Sequence, residues 1–460
     1  MTRAGGRRCG TPAQRRPRCT ATRLSTAAVL CAISLAIIPA TGQSAQTEAA
    51  SVNAETPAAP RADANQGYDL PTFALAGPKG FGFATQDGSF NLILHWLLQS
   101  DYRAFLTNVP TPDRDTFIVR FGGFRLDAIL YRKVRAQMFV NFAESRVTLL
   151  DTFIEAELAS WFRIRVGKFP FPITEERLTP ATNLPFISTS PASILLPSRD
   201  TGVQILGSVA NGMLSFNLAL TNGAVAGILS DGDADSTKDV VARIYGRPLL
   251  KVGPGFLRQL GIGVGASTGV HRGTIDTPQT PIFLTYGGQP FFSFRRDRAS
   301  GDVAIASGRV QRLAPHATWS WGPIGAYADV VWTREVINNV EVPMNAWSVI
   351  PTIVLTGENA SPLSFINPAH PFDLSKGHLG TVELVGGIGK IGVGSSAFPA
   401  LANPLTAMQE FRAYGAGLNW YPLSGLAVLI SYGHQIFTAA APAANRPKED
   451  TLVVRVQAVL

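Results

Sequence analysis

The chain has little of what ties a soluble or catalytic fold together. Its 460 residues include three cysteines, Cys9, Cys19 and Cys31, all in the first 31 positions. Beyond them there can be no disulfide framework, no thiolate metal site and no cysteine nucleophile. No run of 18 apolar residues follows, which excludes a spanning helix. Charge is sparse at 16%, and no fixed four-strand period marks a propeller. The six histidines are His95, His271, His316, His370, His378 and His434. None lies in a nucleophile elbow, a His-Glu-x-x-His helix or a metal-spaced cluster, so neither an enzyme nor a cofactor or metal is expected.

The formal charge of +8 says nothing about nucleic acid. Seven of the 40 basic residues lie in the first 23 positions, before any acid, leaving 33 against 32. After those arginines comes the uncharged stretch LSTAAVLCAISLAII (24–38), then PATGQSAQ with small residues Ala40, Gly42 and Ala45. A basic start, a short apolar run and a small-residue exit describe a secretory signal over 1–45. Fifteen residues fall short of the ~20 a spanning helix needs. Residues 46–80, rich in Ala, Pro, Thr and Gln, read as a flexible lead-in, and 81–460 as one folded domain.

That domain is a succession of alternating segments separated by turns such as Asn211-Gly212, Gly322-Pro323 and Ser424-Gly425. FNLILHWLLQSDYRAF, WFRIRVGKF and IGAYADVVWTREV are examples. In WFRIRVGKF, Arg163 and Arg165 share one face while Phe162, Ile164 and Val166 share the other. Arginine facing lipid at mid-membrane costs about 2–4 kcal/mol, so these arginines are expected to line a lumen. Alternation sustained along the whole chain predicts an all-β fold, a transmembrane antiparallel barrel of about 16 to 18 strands. Trp96, Tyr102, Trp161, Trp319, Trp321, Trp332, Trp347, Trp420, Tyr421 and Tyr432 are expected in its aromatic girdles. The terminal EDTLVVRVQAVL places Leu452, Val454, Val456, Ala458 and Leu460 on one apolar face. Pairing that strand with the first would remove the sheet's edges.

Several stretches, read in order, resemble the phosphate-selective porin O and P family. They are RIRVGKFPFPITEERLT, RDTGVQILGSVANGMLSFNLALTNG, GRVQRLAPHATWSWGPIGAYADVV, AWSVIPTIVLTGENAS, PFDLSKGHLGTVELV and GLNWYPLSGLAVLISYGHQIF, with the closing strand. Together they span most of residues 115–460, and LTGENAS and GLNWYP are the most specific. The last residue departs from the pattern, since Leu460 stands where such strands carry an aromatic. The resemblance implies a barrel of about 16 strands in the outer membrane of a Gram-negative-type bacterium. It implies a homotrimer inserted by the barrel assembly machinery, with inward-folded loops and small anionic solutes as cargo.

Anion passage needs fixed positive charge and donors that replace hydration, and the planar fork of arginine suits oxyanions. Beyond residue 45 the chain has 25 Arg and 8 Lys. Phase points Arg163, Arg165, Arg243 and Arg247 inward. Arg120 and Arg125, five apart, share a face only if a bulge intervenes at Gly122-Gly123. Residues 174–199 are the candidate inward loop, with Arg177 and Arg199 near its ends. Thr182, Asn183, Ser188, Thr189, Ser190 and Ser193 would be its donors, and Glu175 and Glu176 would oppose anions. The expected function is passive diffusion of small hydrophilic solutes, anions such as phosphate or polyphosphate. A plugged, structural or adhesive barrel and an outer-membrane enzyme are the alternatives.

Overall fold

The computed structural model describes residues 72–77, 80–107, 115–143, 145–227, 233, 235–441 and 446–459. The expected signal segment, most of the expected lead-in and Leu460 lie outside the described residues.

Long alternating runs become strands because every second side chain falls on one face of the pleat. In chain order they are β1 (Thr72–Gly77), β2 (Gly80–Thr85), β3 (Phe90–Phe105), β4 (Thr116–Leu130), β5 (Val134–Asn141) and β6 (Thr148–Ala159). Then follow β7 (Phe162–Pro170), β8 (Arg199–Val209), β9 (Leu214–Thr221), β10 (Asp239–Gly246) and β11 (Gly261–Arg272). Four short strands, β12 (Ile282–Leu284), β13 (Pro290–Ser293), β14 (Arg296–Asp297) and β15 (Asp302–Val303), form two hairpins within one loop. The wall resumes with β16 (Ala306–Trp321), β17 (Ile324–Ile337), β18 (Val340–Val354), β19 (Thr381–Val393), β20 (Met408–Leu423), β21 (Leu426–Ala439) and β22 (Glu449–Val459).

Each wall strand pairs antiparallel with the next, and β22 pairs with β3, closing a barrel of 16 strands. Closure gives each of the 16 wall strands a partner on both sides, as spanning a bilayer demands. β22 occupies the edge of β3 from Leu97 to Phe105. The β1–β2 hairpin, whose first strand falls in the segment read as a lead-in, pairs with Asn91–Leu94 of β3. At the end of the barrel where β22 finishes, tight turns need backbone that few residues adopt. Gly425 has φ of +83°, and a Cβ there would lie 2.2 Å from the Val459 carbonyl oxygen; glycine is the residue that fits.

The two faces have opposite character. Val203, Leu220, Val240, Ile244, Val264 and Val456 point outward and are exposed, forming an apolar belt for lipid. Their strand neighbours Gln204, Thr221, Val241, Arg243, Ser267 and Arg455 point inward and are buried. The girdle expectation needs correcting at several positions, with Trp96 and Tyr432 exposed near the middle of β3 and β21 rather than at strand ends. Tyr421 turns inward, is buried, and donates to Glu383 Oε2 at 2.9 Å. Trp347 faces outward but near the middle of β18 rather than at its end.

Candidate functional site: the lumen and its inward loops

The inner wall divides into a filled part and an open part. Between β7 and β8, residues 171–198 leave the wall and cross the lumen. PFPIT brings Phe171 and Ile173 down against the sheet, where a Cβ on Gly265 of β11 would stand 2.1 Å from the Ile173 carbonyl oxygen. Thr174 caps the short helix α1 (Glu175–Leu178) by accepting from Arg177 N. Ser190 caps α2 (Pro191–Ile194), with proline at its first turn. The cap residues also bind the two helices together, since Ser190 donates from N and Oγ to the Glu176 carboxylate at 2.9 and 2.5 Å.

The loop is fastened to the opposite wall by polar side chains reaching its carbonyls. Asn419 Nδ2 donates to Pro185 O at 2.8 Å, Gln457 Nε2 to Thr182 O at 2.9 Å, and Arg455 Nη1 to Ile187 O at 3.4 Å. Phe186 lies over Gly415, where a Cβ would stand 2.3 Å from its ring. We therefore expect Gly415→Val to overpack this contact at about 1–3 kcal/mol and lift the loop while the barrel stays closed. Limited proteolysis checks it: new cleavage within 171–198 with a folded barrel is the expected result, and an unchanged digest would count against the contact.

A second inward loop was not read from the sequence. Residues 273–305 bring Phe283, Phe291, Phe292 and Phe294 inside, all at most 1% exposed. Phe291 stacks on Phe411 of β20 with centroids 4.5 Å apart. Tyr286 N donates to Gln435 Oε1 at 2.8 Å, and the Tyr286 ring meets Phe186 of the first loop at 5.8 Å. The sequence carries two signals of it: a long stretch without alternation between LGIGVGASTGV (260–270) and PHATWSW (315–321), and the aromatic run PFFSF at 290–294. A long gap inside a compact domain points to a functional loop. From the other end of the barrel, residues 355–380 place Ala360 and Ile366 in an inner cluster with Tyr421, Ala427 and Leu429.

The arginines expected to face the lumen do so in part, and most are paired. Arg163 Nη1 donates to Glu155 Oε1 at 3.0 Å, and Arg165 donates to Glu155 Oε2 from Nε at 2.9 Å and Nη2 at 2.6 Å. Arg243 is buried, ion-paired with Glu175 of α1 and beside His316 Nε2 at 3.3 Å. Arg199 is paired with Asp151 at 2.7 Å. Arg247 lies past the end of β10, in a turn, its Nη2 3.5 Å from Gly212 O. The wall does bulge near Arg120, but at Arg120 itself rather than at the two glycines, because Gln99 opposes Phe121 and Ser100 opposes Val119. Arg120 is exposed at that bulge, and Arg125 lies opposite His95 with its Nε 2.9 Å from Asp127 Oδ2.

Within the loop, Arg177 turns back on its own segment, donating to the Ser193 and Leu196 carbonyls. Burial pushes its guanidinium down to about 10. Ser190 and Ser193 are buried, Thr182 Oγ1 donates to Asn183 Oδ1 at 3.2 Å, and Ser188 Oγ lies 3.5 Å from Tyr286 O. Thr189 is exposed. Of these donors, Ser190 and Ser188 reach other segments, Thr182 bonds to its neighbour Asn183, and the buried Ser193 Oγ has no hydrogen-bond partner among the described residues.

The open part is the inner face of β4–β7 toward the turns at 131–133 and 160–161. There Arg125, Arg135 and Arg163 have side chains 33%, 44% and 37% exposed. On the filled side Arg243, Arg312 and Arg455 are at most 5% exposed. The open arginines gather at two carboxylates: Arg125 and Arg135 at Asp127, where the His95 ring also lies 3.0 Å away, and Arg163, with the more buried Arg165, at Glu155.

No family model and no curated protein matches this sequence. Solved structures share its architecture. A loop-deletion mutant of OmpT, an outer membrane protein of Vibrio cholerae, aligns with a TM-score of 0.50 at 11% identity, over 81% of this chain and 100% of that one. The outer membrane channel DcaP of Acinetobacter baumannii gives 0.52 at 9% identity over 82% and 99%. An anion-selective porin from Comamonas acidovorans gives 0.51 at 8% identity over 81% and 100%. At such identities the likeness is one of fold, and the narrower resemblance to the phosphate-selective porins O and P gains nothing from it. With its apolar belt and closed wall, the chain folds as a 16-stranded outer-membrane β-barrel, the architecture it shares with these structures.

Proposed function

We propose that the protein is a passive channel for small hydrophilic solutes, with a preference for anions such as phosphate, and that solutes pass along the open inner face of β4–β7. The supporting observation is the charge of that face: the four guanidinium groups of Arg125, Arg135, Arg163 and Arg165 stand against the three carboxylates of Asp127, Glu155 and Glu157, which lies opposite Arg163. With more cations than carboxylates on a partly desolvated wall, anions are concentrated there. The reading includes no catalytic step and no cofactor. It takes the assembly to be a homotrimer inserted by the barrel assembly machinery, which cross-linking in native membranes would test.

Planar-bilayer recording checks the function. The expected result is a steady current whose reversal potential in a potassium chloride gradient lies toward chloride, and which phosphate reduces. A cation-selective current would remove the anion preference and leave the channel. A folded barrel without current would favour the plugged reading, for which the sealed aromatic packing of residues 273–305 is the specific support.

A further inference from the structure

We propose that the open wall carries a subsite for an aromatic carboxylate, with Phe121 and Phe139 receiving the ring and Arg125 receiving the carboxyl group. The inference rests on the reading of β4–β7 as the solute path and narrows its cargo.

Register places all three side chains inside. Phe121 lies opposite Gln99. Gln99 Nε2 bonds to Gln457 Oε1, and Gln457 Nε2 in turn reaches Thr182 O of the inward loop. Phe121 and Arg125 are in phase along β4, and Phe139 lies directly opposite Arg125 on β5. The two rings are 5.2 Å apart at 34°, and both are only half-buried. Phe291 and Phe411, on the filled side, are sealed. An aromatic pair left facing an aqueous lumen offers a third ring the offset or edge contacts that such groups favour.

The neighbouring cation is also partly uncommitted. A guanidinium has five N–H donors; Arg125 gives its Nε to Asp127, and its two terminal nitrogens make no hydrogen bond to a described residue. Arg135 stands behind, giving Nη2 to Asp127 Oδ1 and Gln137 Oε1 at 3.4 and 3.3 Å. A carboxylate can therefore take two parallel bonds from Arg125 while its ring covers Phe139. Phosphate would use the cationic half alone, and an aliphatic acid of the same charge would leave the rings wet. Aromatic carboxylates should be preferred over both.

Benzoate and acetate, each added to the bath during chloride conduction, provide the test. Benzoate is expected to halve the chloride current at a roughly tenfold lower concentration than acetate, the ring contact and its burial supplying the difference. In the double variant Phe121→Leu/Phe139→Leu, which keeps apolar volume, that advantage should disappear while chloride conductance stays within about twofold. Equal potency of the two acids on the unsubstituted protein overturns the subsite and leaves the channel standing. So does a benzoate advantage that survives in the double variant. Absence of any chloride current, by contrast, sinks the channel reading and the subsite with it.

Discussion

Replacing Asp101 with alanine should destabilise the barrel by roughly 3–5 kcal/mol, because it strands a buried charge at the seam. Asp101 on β3 lies directly opposite Arg455 on β22, the pair of strands that closes the sheet. The guanidinium forks onto the carboxylate, Nε to Oδ1 at 2.7 Å and Nη2 to Oδ2 at 2.9 Å, with side chains 5% and 0% exposed. Arg103 adds a second cation 3.8 Å from Oδ2. With Asp101 gone, Arg455 retains, among the described residues, only the Ile187 carbonyl of the inward loop as a hydrogen-bond acceptor. The expected readout is a lower temperature for the folded-to-unfolded mobility shift in detergent and a poorer refolding yield into vesicles. The double variant Asp101→Leu/Arg455→Met should recover most of the loss, since removing both charges leaves nothing to desolvate. An Asp101→Ala protein that melts with the unsubstituted chain would show that the seam does not depend on this pair.

The seam also illustrates what could be read in advance. Alternation in TLVVRVQA predicted which residues of the last strand face out and which face in, and the structure agrees: Thr451, Val453, Arg455 and Gln457 are buried inside. Period 2 is a local property, so any strand with one apolar face announces its orientation. The barrel followed from the same property repeated along the chain. What alternation could not supply was the partner of each inward side chain. Arg243 was in phase with the lumen, but its pairing with Glu175 depends on α1 swinging across from between β7 and β8. Ser190 looked like a donor for solute and instead caps α2 and holds Glu176. Tyr421 sat near a strand end as a girdle residue would, yet Glu383 and Asn419 draw its hydroxyl inward. Such long-range pairings carry no periodic signal, and the loop at 273–305 left only a gap and a run of phenylalanines.

Glu155→Gln should make the channel more anion-selective, by roughly fivefold in the ratio of chloride to potassium permeability. Glu155 is the one carboxylate shared by Arg163 and Arg165, and it also lies opposite Arg135. Glutamine keeps the shape and one acceptor oxygen but removes a negative charge from the open wall. A unit charge about 5 Å from a passing ion, in a largely aqueous dielectric, is worth about 1 kcal/mol, and a factor of ten is 1.36 kcal/mol. Arg165 should stay in place, since it lies over the Phe153 ring at 4.1 Å and reaches Gln204 Oε1 at 3.4 Å. Arg163, 37% exposed, then has only the exposed Glu157 opposite it on β6 as a neighbouring carboxylate among the described residues, so the net charge of this face rises by one. In a potassium chloride gradient the reversal potential should move toward that of chloride, and Arg163→Gln should move it the other way. Opposite shifts from two neighbouring residues cannot come from a general loosening of the fold, so together they would place the solute path along β4–β7. No shift from either variant would put the path elsewhere, on the side of the barrel where the inward loops now pack.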